Sequence, residues 1–149
     1  MRIVDTVVLI GYINPLDSRN AKATQYMSEL LQEDDLLVPS ASLMELDLEL
    51  KTHAVSNKDR ITVFSNLAKI IPSSKVLPLT PATFEHAARL AVKAKWRGAY
   101  FDTLIASTAL VMFLDCLFQI LSRYHNIAIK NRTYEVLVFL CNEFFLAKY

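Results

Sequence analysis

The chain has 149 residues, a net charge of +1 and only two glycines, Gly11 and Gly98. That length suits one domain with a sizeable core, and the near-neutral charge excludes a general nucleic-acid coat protein while leaving room for a local basic rim. The scarcity of glycine excludes a glycine-rich phosphate loop, and with it P-loop and Rossmann readings. The two cysteines, Cys116 and Cys141, lie far apart with no metal-ligand spacing, so they give no disulfide framework and suit a reducing cytoplasm.

The chain opens on an apolar run interrupted by one acid, Ile3-Val4-Asp5-Thr6-Val7-Val8-Leu9-Ile10. It reads as a buried strand over 2–4, a turn at Asp5 and a short helix. Asp5 also falls where the apolar core of a secretory signal would need to be. Asn14-Pro15-Leu16-Asp17-Ser18 is a turn, and Asp17 or Ser18 could cap a helix over about 19–32 with Ala23, Tyr26, Met27, Leu30 and Leu31 on one face. Glu33-Asp34-Asp35 reads as a solvated loop. Leu36-Leu37-Val38 suits a second buried strand. Ser40 or Ser42 then starts a helix to about His53, with Ser42 and Glu45 at capping-box spacing.

A further helix is predicted over about 58–70, and a third strand over 75–77. Thr80-Pro81 is a helix start, with a hydroxyl cap before proline at the first helical position. That helix runs to about Lys95. Phe101-Asp102 opens another, from Thr103 to about Leu114. Phe118–Leu121 reads as a fourth strand, 127–129 as a fifth, and about 133–147 as a last helix. Leu104–Leu121 is apolar, yet Asp115 and Gln119 interrupt it, so it reads as buried helix and strand rather than a membrane span. Alternating strands and helices indicate an α/β fold with a mainly parallel sheet covered on both faces.

Three acids occupy similar places in this pattern. Asp5 follows the first strand, Glu45 lies early in the helix after the second, and Asp102 starts the helix before the predicted fourth strand. Strand ends and the following helix starts share one edge of a parallel sheet, so Asp5 and Glu45 can converge. Asp102 joins them if its helix starts on that edge. Gathered carboxylates repel one another, and a hard divalent cation, Mg²⁺ or Mn²⁺, would relieve that. His53, His86 and His125 have no ligand spacing. Each acid also has a plain structural reading: Asp5 and Asp102 as helix caps, Glu45 as half of a capping box.

The opening motif resembles that of PIN-domain proteins, particularly the VapC-like toxins of toxin–antitoxin pairs. Ser40-Ala41-Ser42-Leu43-Met44-Glu45-Leu46 resembles their second motif, and Phe101-Asp102-Thr103-Leu104-Ile105-Ala106-Ser107-Thr108-Ala109 their third. The resemblance covers about residues 1–125 of a single domain spanning 1–149, and the stretch from about 126 diverges. It implies a three-layer α/β/α sandwich, a Mg²⁺ or Mn²⁺ site and hydrolysis of RNA phosphodiesters by an endoribonuclease. It also implies a homodimer and, for a toxin, inhibition by a small antitoxin protein.

On that reading Asp5 and Asp102 hold the cation and Glu45 completes the shell or orients the attacking water. Thr6, Ser107 and Asn126 are candidates for support. Arg123, Arg97 and Lys51 are candidates for phosphate contact, as are Arg19 and Lys22 after the first turn, and Trp96 and Tyr100 could stack on bases. Two departures stand out. Val7 occupies a position where the family usually has Asn. Tyr124 stands where a fourth acid is often found, since Asp115 lies before the predicted strand and Asn126 is uncharged. An alternative therefore stands: a catalytically weak PIN-like protein that binds RNA or a partner. The apolar C-terminal segment, with Val136, Leu137, Phe139, Leu140, Phe144 and Phe145, would supply an oligomer interface.

Overall fold

A computed structural model describes residues 2–94 and 100–123. The chain divides into two compact units, Met1–Leu114 and Asp115–Tyr149. In the first unit the order is β1 (Arg2–Ile3), α1 (Thr6–Ile13), α2 (Asn20–Gln32), β2 (Leu36–Pro39), α3 (Ser40–Thr52), α4 (Asn57–Ile70), a 3₁₀ turn (Ser73–Lys75), β3 (Val76–Leu77) and α5 (Pro81–Ala94). The last described helix, α6 (Tyr100–Arg123), begins in this unit and ends in the second.

The three strands are parallel in the order β1-β2-β3. Arg2 pairs with Leu36, Ile3 with Leu37, Val38 with Val76, and Pro39 with Leu77. A further bond from Val4 N–H to the Leu37 carbonyl (2.9 Å) carries the β1–β2 ladder to the residue before Asp5.

Strand alternation sorts the core into two parts. Val4, Leu36 and Val38 pack with Leu9, Met27, Leu30, Leu46 and Leu67 from α1 to α4. Ile3 instead packs with Ala41, Ala87, Leu104 and Ile105, which brings in α5 and α6. Every residue of β2 is buried, as a central strand covered on both faces requires.

Helices α1 and α2 form a hairpin. A Cβ on Gly11 would sit 3.1 Å from the Ala23 Cβ, so glycine lets the two backbones approach. Asn20 closes the corner by donating from Nδ2 to the Gly11 carbonyl at 2.8 Å. At α5, the expected Thr80 cap forms: the Thr83 N–H donates to Thr80 Oγ1 and the Thr80 N–H donates to Thr83 Oγ1, both at 3.2 Å.

Three expectations are corrected. Phe118–Leu121 is helical, not a fourth strand, because α6 continues to Arg123. A short apolar run is compatible with either structure, and no Gly or Pro between Tyr100 and Arg123 breaks the helix. Ser42 and Glu45 do not form a capping box: α3 starts at Ser40 behind Pro39, which places Ser42 inside the helix. Glu33-Asp34-Asp35 is not simply solvated. Arg2 bonds to Glu33 and, at 3.0 Å, to Asp35, while Lys75 reaches Asp34 at 2.6 Å. The acids thus tie the loop before β2 to the neighbouring strands. The predicted strand at 127–129 and helix at 133–147 lie outside the described residues. Among the described residues no helix is long and apolar enough to cross a membrane.

With so few glycines, α2 and α3 end without one. Asp34 and Ala54 adopt left-handed backbones, with φ of 52° and 56°. Each is the turning residue of a paired C-terminal cap. Asp34 N–H donates to the Leu31 carbonyl and Asp35 N–H to Leu30, while Ala54 N–H donates to Lys51 and Val55 N–H to Leu50. Asp tolerates this conformation better than Ala does. Ala54→Gly should therefore stabilise the fold by about 0.5–1 kcal/mol, the relief of the left-handed penalty less the added entropy of the unfolded chain. Urea denaturation checks this; an unchanged or lower midpoint would contradict it.

Candidate active site

Asp5 sits directly after β1 and is the N-cap of α1, its Oδ1 accepting from the Thr6 N–H at 2.5 Å. The plain capping role is therefore real, but it occupies one carboxylate oxygen only. Thr6, the first residue of α1, is buried and turns its hydroxyl across to α3. There it bonds to Glu45 Oε2 and lies 3.3 Å from the Ser42 carbonyl. Ser42, fully buried, donates from Oγ back to the Val4 carbonyl at 3.2 Å. These bonds lock the end of β1 to the first turns of α3, and so hold Asp5 and Glu45 side by side. Ser40 adds a link from the segment after β3, accepting from the Leu79 N–H at 3.1 Å.

Asp102 is exposed in the first turn of α6, which begins at Tyr100 rather than at Thr103. Its charge nevertheless acts on both other acids. Burial pushes the Asp5 carboxyl above its ordinary range, the Thr6 N–H bond opposes this, and the Asp102 charge adds to the rise. Burial likewise raises Glu45, against the Thr6 hydrogen bond, with further contributions from Asp5, Asp102 and Glu49. The three predicted acids thus share one electrostatic environment, and none of them forms an ion pair with a described Lys or Arg. Other described acids do: Asp17 is held down to about 2 by hydrogen bonds from Arg19, and Asp47 binds both Lys51 and Arg60.

The donor set is all oxygen and uncompensated, which suits a hard divalent cation in kind. Among the described residues no group of three or more Asp, Glu, His or Cys side chains is placed to hold a metal ion by itself. Mg²⁺ does not need one, since it is commonly held by one or two carboxylates together with water and substrate phosphate.

The supporting candidates fare differently. Thr6 contacts Glu45 directly. Ser107 is fully buried, and its Oγ has no hydrogen-bond partner; no bond ties it to the acids. Lys51 is turned away: it pairs with Asp47 at 2.9 Å, and Asp47 lies about 200° around α3 from Glu45. Arg19, engaged by Asp17 at 2.7 Å, stands beyond the far end of α1, about 12 Å of helix from Asp5. Arg123 ends α6, and its side chain lies outside the described set, as do Arg97, Trp96, Tyr124 and Asn126. Val7 is half exposed beside Thr6, and Tyr100 is exposed with its ring edge-on to Phe101.

A family model described as the PIN domain matches residues 2–128. The chain belongs to the PIN-domain family. PIN domains are generally nucleases, and the parallel sheet with helices on both faces agrees with their three-layer α/β/α architecture. No curated protein and no solved structure matches the chain. The first and third motifs of this PIN domain bring Asp5 and Asp102 within reach of each other's charge, and Thr6 links the first motif to Glu45 of the second.

The raised carboxyls make a stability prediction. In the folded chain Asp5 and Glu45 keep their protons to higher pH than in the unfolded chain. Between the ordinary and the raised value the folded state holds more protons, so stability falls as pH rises through that window. Asp5→Asn keeps the cap and Glu45→Gln keeps an acceptor for Thr6, while each removes a charge. Without divalent ions, both variants should melt above the parent at neutral pH and match it at pH values below the ordinary carboxylate range. Melting curves that run parallel at all pH values would contradict this.

Proposed function

We propose that this PIN domain is a Mg²⁺- or Mn²⁺-dependent endoribonuclease. The observation that carries the reading is the uncompensated acid group Asp5, Glu45 and Asp102 at the end of β1 and the starts of α3 and α6. Asp5 and Asp102 would hold the cation, and Glu45 would complete the site. A bound divalent ion would neutralise the acids, lower the pKa of a water and offset the charge that develops on the phosphate.

The protein's own part is positioning and proton handling. Thr6 fixes Glu45 through Oε2, which leaves Oε1 to accept a proton from the attacking water. The raised pKa of Glu45 brings it nearer neutrality, where a general base works best. Helix capping fixes Asp5 at Oδ1 and leaves Oδ2 outside the cap. Thr6 is therefore a positioning residue.

We further read the protein as the toxin of a VapBC-type pair, acting as a homodimer in the cytoplasm and restrained by an antitoxin protein. The three motifs support that reading. Arg97 and Arg123 remain the candidates for phosphate contact, since Lys51 is paired on the other side of α3.

A second reading has its own support. The helix persists through 118–121, where a strand would precede the usual fourth acid, and Val7 replaces the usual Asn. Both favour a weakly catalytic PIN protein that binds RNA or a partner.

Cleavage of a labelled single-stranded RNA with Mn²⁺ separates the two. Asp5→Asn and Asp102→Asn should each lower kcat/KM by roughly 10²-fold or more while the variants stay folded. Parent-level cutting by either variant would overturn the proposed mechanism. A parent that does not cut, but binds the RNA, would favour the second reading.

A further inference from the structure

A groove of about 590 Å³ runs along α4, away from the acid group. Its lining is Asn57, Arg60, Ile61, Phe64, Ser65 and Ala68 from α4, with Asp47 from α3. The α4 residues recur at three- and four-residue spacing, so they form one stripe on that helix. The centre of the stripe is ordered by size. Ile61 and Phe64 come first, and Ser65 and Ala68 follow. Ile61 stands 68% exposed, while Phe64 packs against the core and Ser65 and Ala68 leave the groove open beyond it.

A stripe of this order complements its own copy. Two α4 helices packed antiparallel, about a two-fold axis between Phe64 and Ser65, set Ile61 opposite the partner's Ala68 and Phe64 opposite the partner's Ser65. Each large side chain then meets a small one, which is the condition for close interdigitation. A two-fold contact demands this self-complementarity, since residue i meets j and j meets i.

Charge complementarity agrees. The centre of the stripe carries no charge. On its α3 side Asp47 holds Arg60 through Nε at 2.9 Å and Lys51 at 2.9 Å, so a second copy brings no unmatched acid into the contact. Lys58 and Lys69 fall on the opposite side of the stripe, at a solvated rim. RNA suits this face poorly, because phosphate contact needs bases that Asp47 has already engaged. Apolar surface continues past Asp47 onto α3, where Met44 and Leu48 are each about half exposed and four residues apart.

We propose that α4 is the face on which two copies of this chain meet, antiparallel, with Ile61 seated on the partner's Ala68 and Phe64 on the partner's Ser65. This rests on the homodimer reading above and gives it a surface.

The test is sedimentation of the full-length protein across the micromolar range. The parent is compared with Ile61→Asp, Ala68→Lys, the two combined, and Val92→Asp, which charges an exposed apolar position on α5. The parent should be a dimer. Ile61→Asp and Ala68→Lys should each weaken it roughly tenfold or more, with unchanged circular dichroism because both positions are exposed. The combined variant should recover most of the loss, since the antiparallel register sets each introduced acid opposite an introduced base of the other copy. Within one chain the two positions are about 10 Å apart along the helix, too far to pair directly. Val92→Asp should dimerise as the parent does. A dimer that both single variants leave intact would overturn the α4 face while the homodimer stands. Weakening by both with no recovery in the combined variant would overturn the antiparallel pairing. Equal weakening by Val92→Asp would reduce the effect to added charge and overturn the proposal too. A parent that stays monomeric would overturn both this inference and the homodimer reading.

Discussion

The site depends on a small set of buried hydrogen bonds between the end of β1 and the start of α3. Ser42 donates to the Val4 carbonyl, and Thr6 reaches Glu45 and the Ser42 carbonyl. Val4 is where β1 stops pairing, so its carbonyl would otherwise face a covered interior without a partner. Leaving such a group unmatched costs about 1–3 kcal/mol, more than a typical hydrogen bond contributes. The chain therefore has a strong reason to keep α3 in this register. Glu45 follows Ser42 by three residues, so the same constraint brings its carboxylate to the mouth of β1 beside Asp5.

That architecture works against the acids themselves. Burial raises Asp5 and Glu45, and neighbouring carboxylates raise them further. A fold selected for stability alone would place an Arg or Lys here, as it does at Asp47, where Arg60 and Lys51 converge. The contrast between these two parts of α3 is informative. One side is a neutralised, structural ion cluster. The other carries Glu45, which meets no described Arg or Lys.

The two ends of the sheet are also treated differently. Where Arg2 and Lys75 stand near the strand starts, they hold the acid-rich loop before β2. Each such exposed pair contributes little free energy. Their effect is geometric, since they fix where β2 begins relative to β1 and β3. Strand ends, by contrast, lead into α1 and α3, where Asp5 and Glu45 stand without an Arg or Lys partner. Parallel topology makes this division possible, because all three strands present their carboxyl ends on one edge.

Much of this was legible in the sequence. Three short strands, the helices between them and the Thr80 cap follow from local chemistry, from apolar runs and hydroxyl and proline signals, while Asp5, Glu45 and Asp102 stand out as a group only through the resemblance to PIN-domain motifs. Local chemistry could not decide the state of Phe118–Leu121, because an apolar run of that length satisfies a strand and a helix equally well, and only the continuation of α6 resolved it. Nor could it show that Ser42 bonds across to Val4 instead of capping its own helix, that Lys51 turns to Asp47, or that the acid loop clasps Arg2 and Lys75. Each of these is a choice among several nearby partners, and the choice is made by elements distant in sequence. The sequence determined which groups carry charge and where helices can start; tertiary packing decided which charges are paired and which are left bare, because pairing depends on distances that exist only once the strands have closed into a sheet.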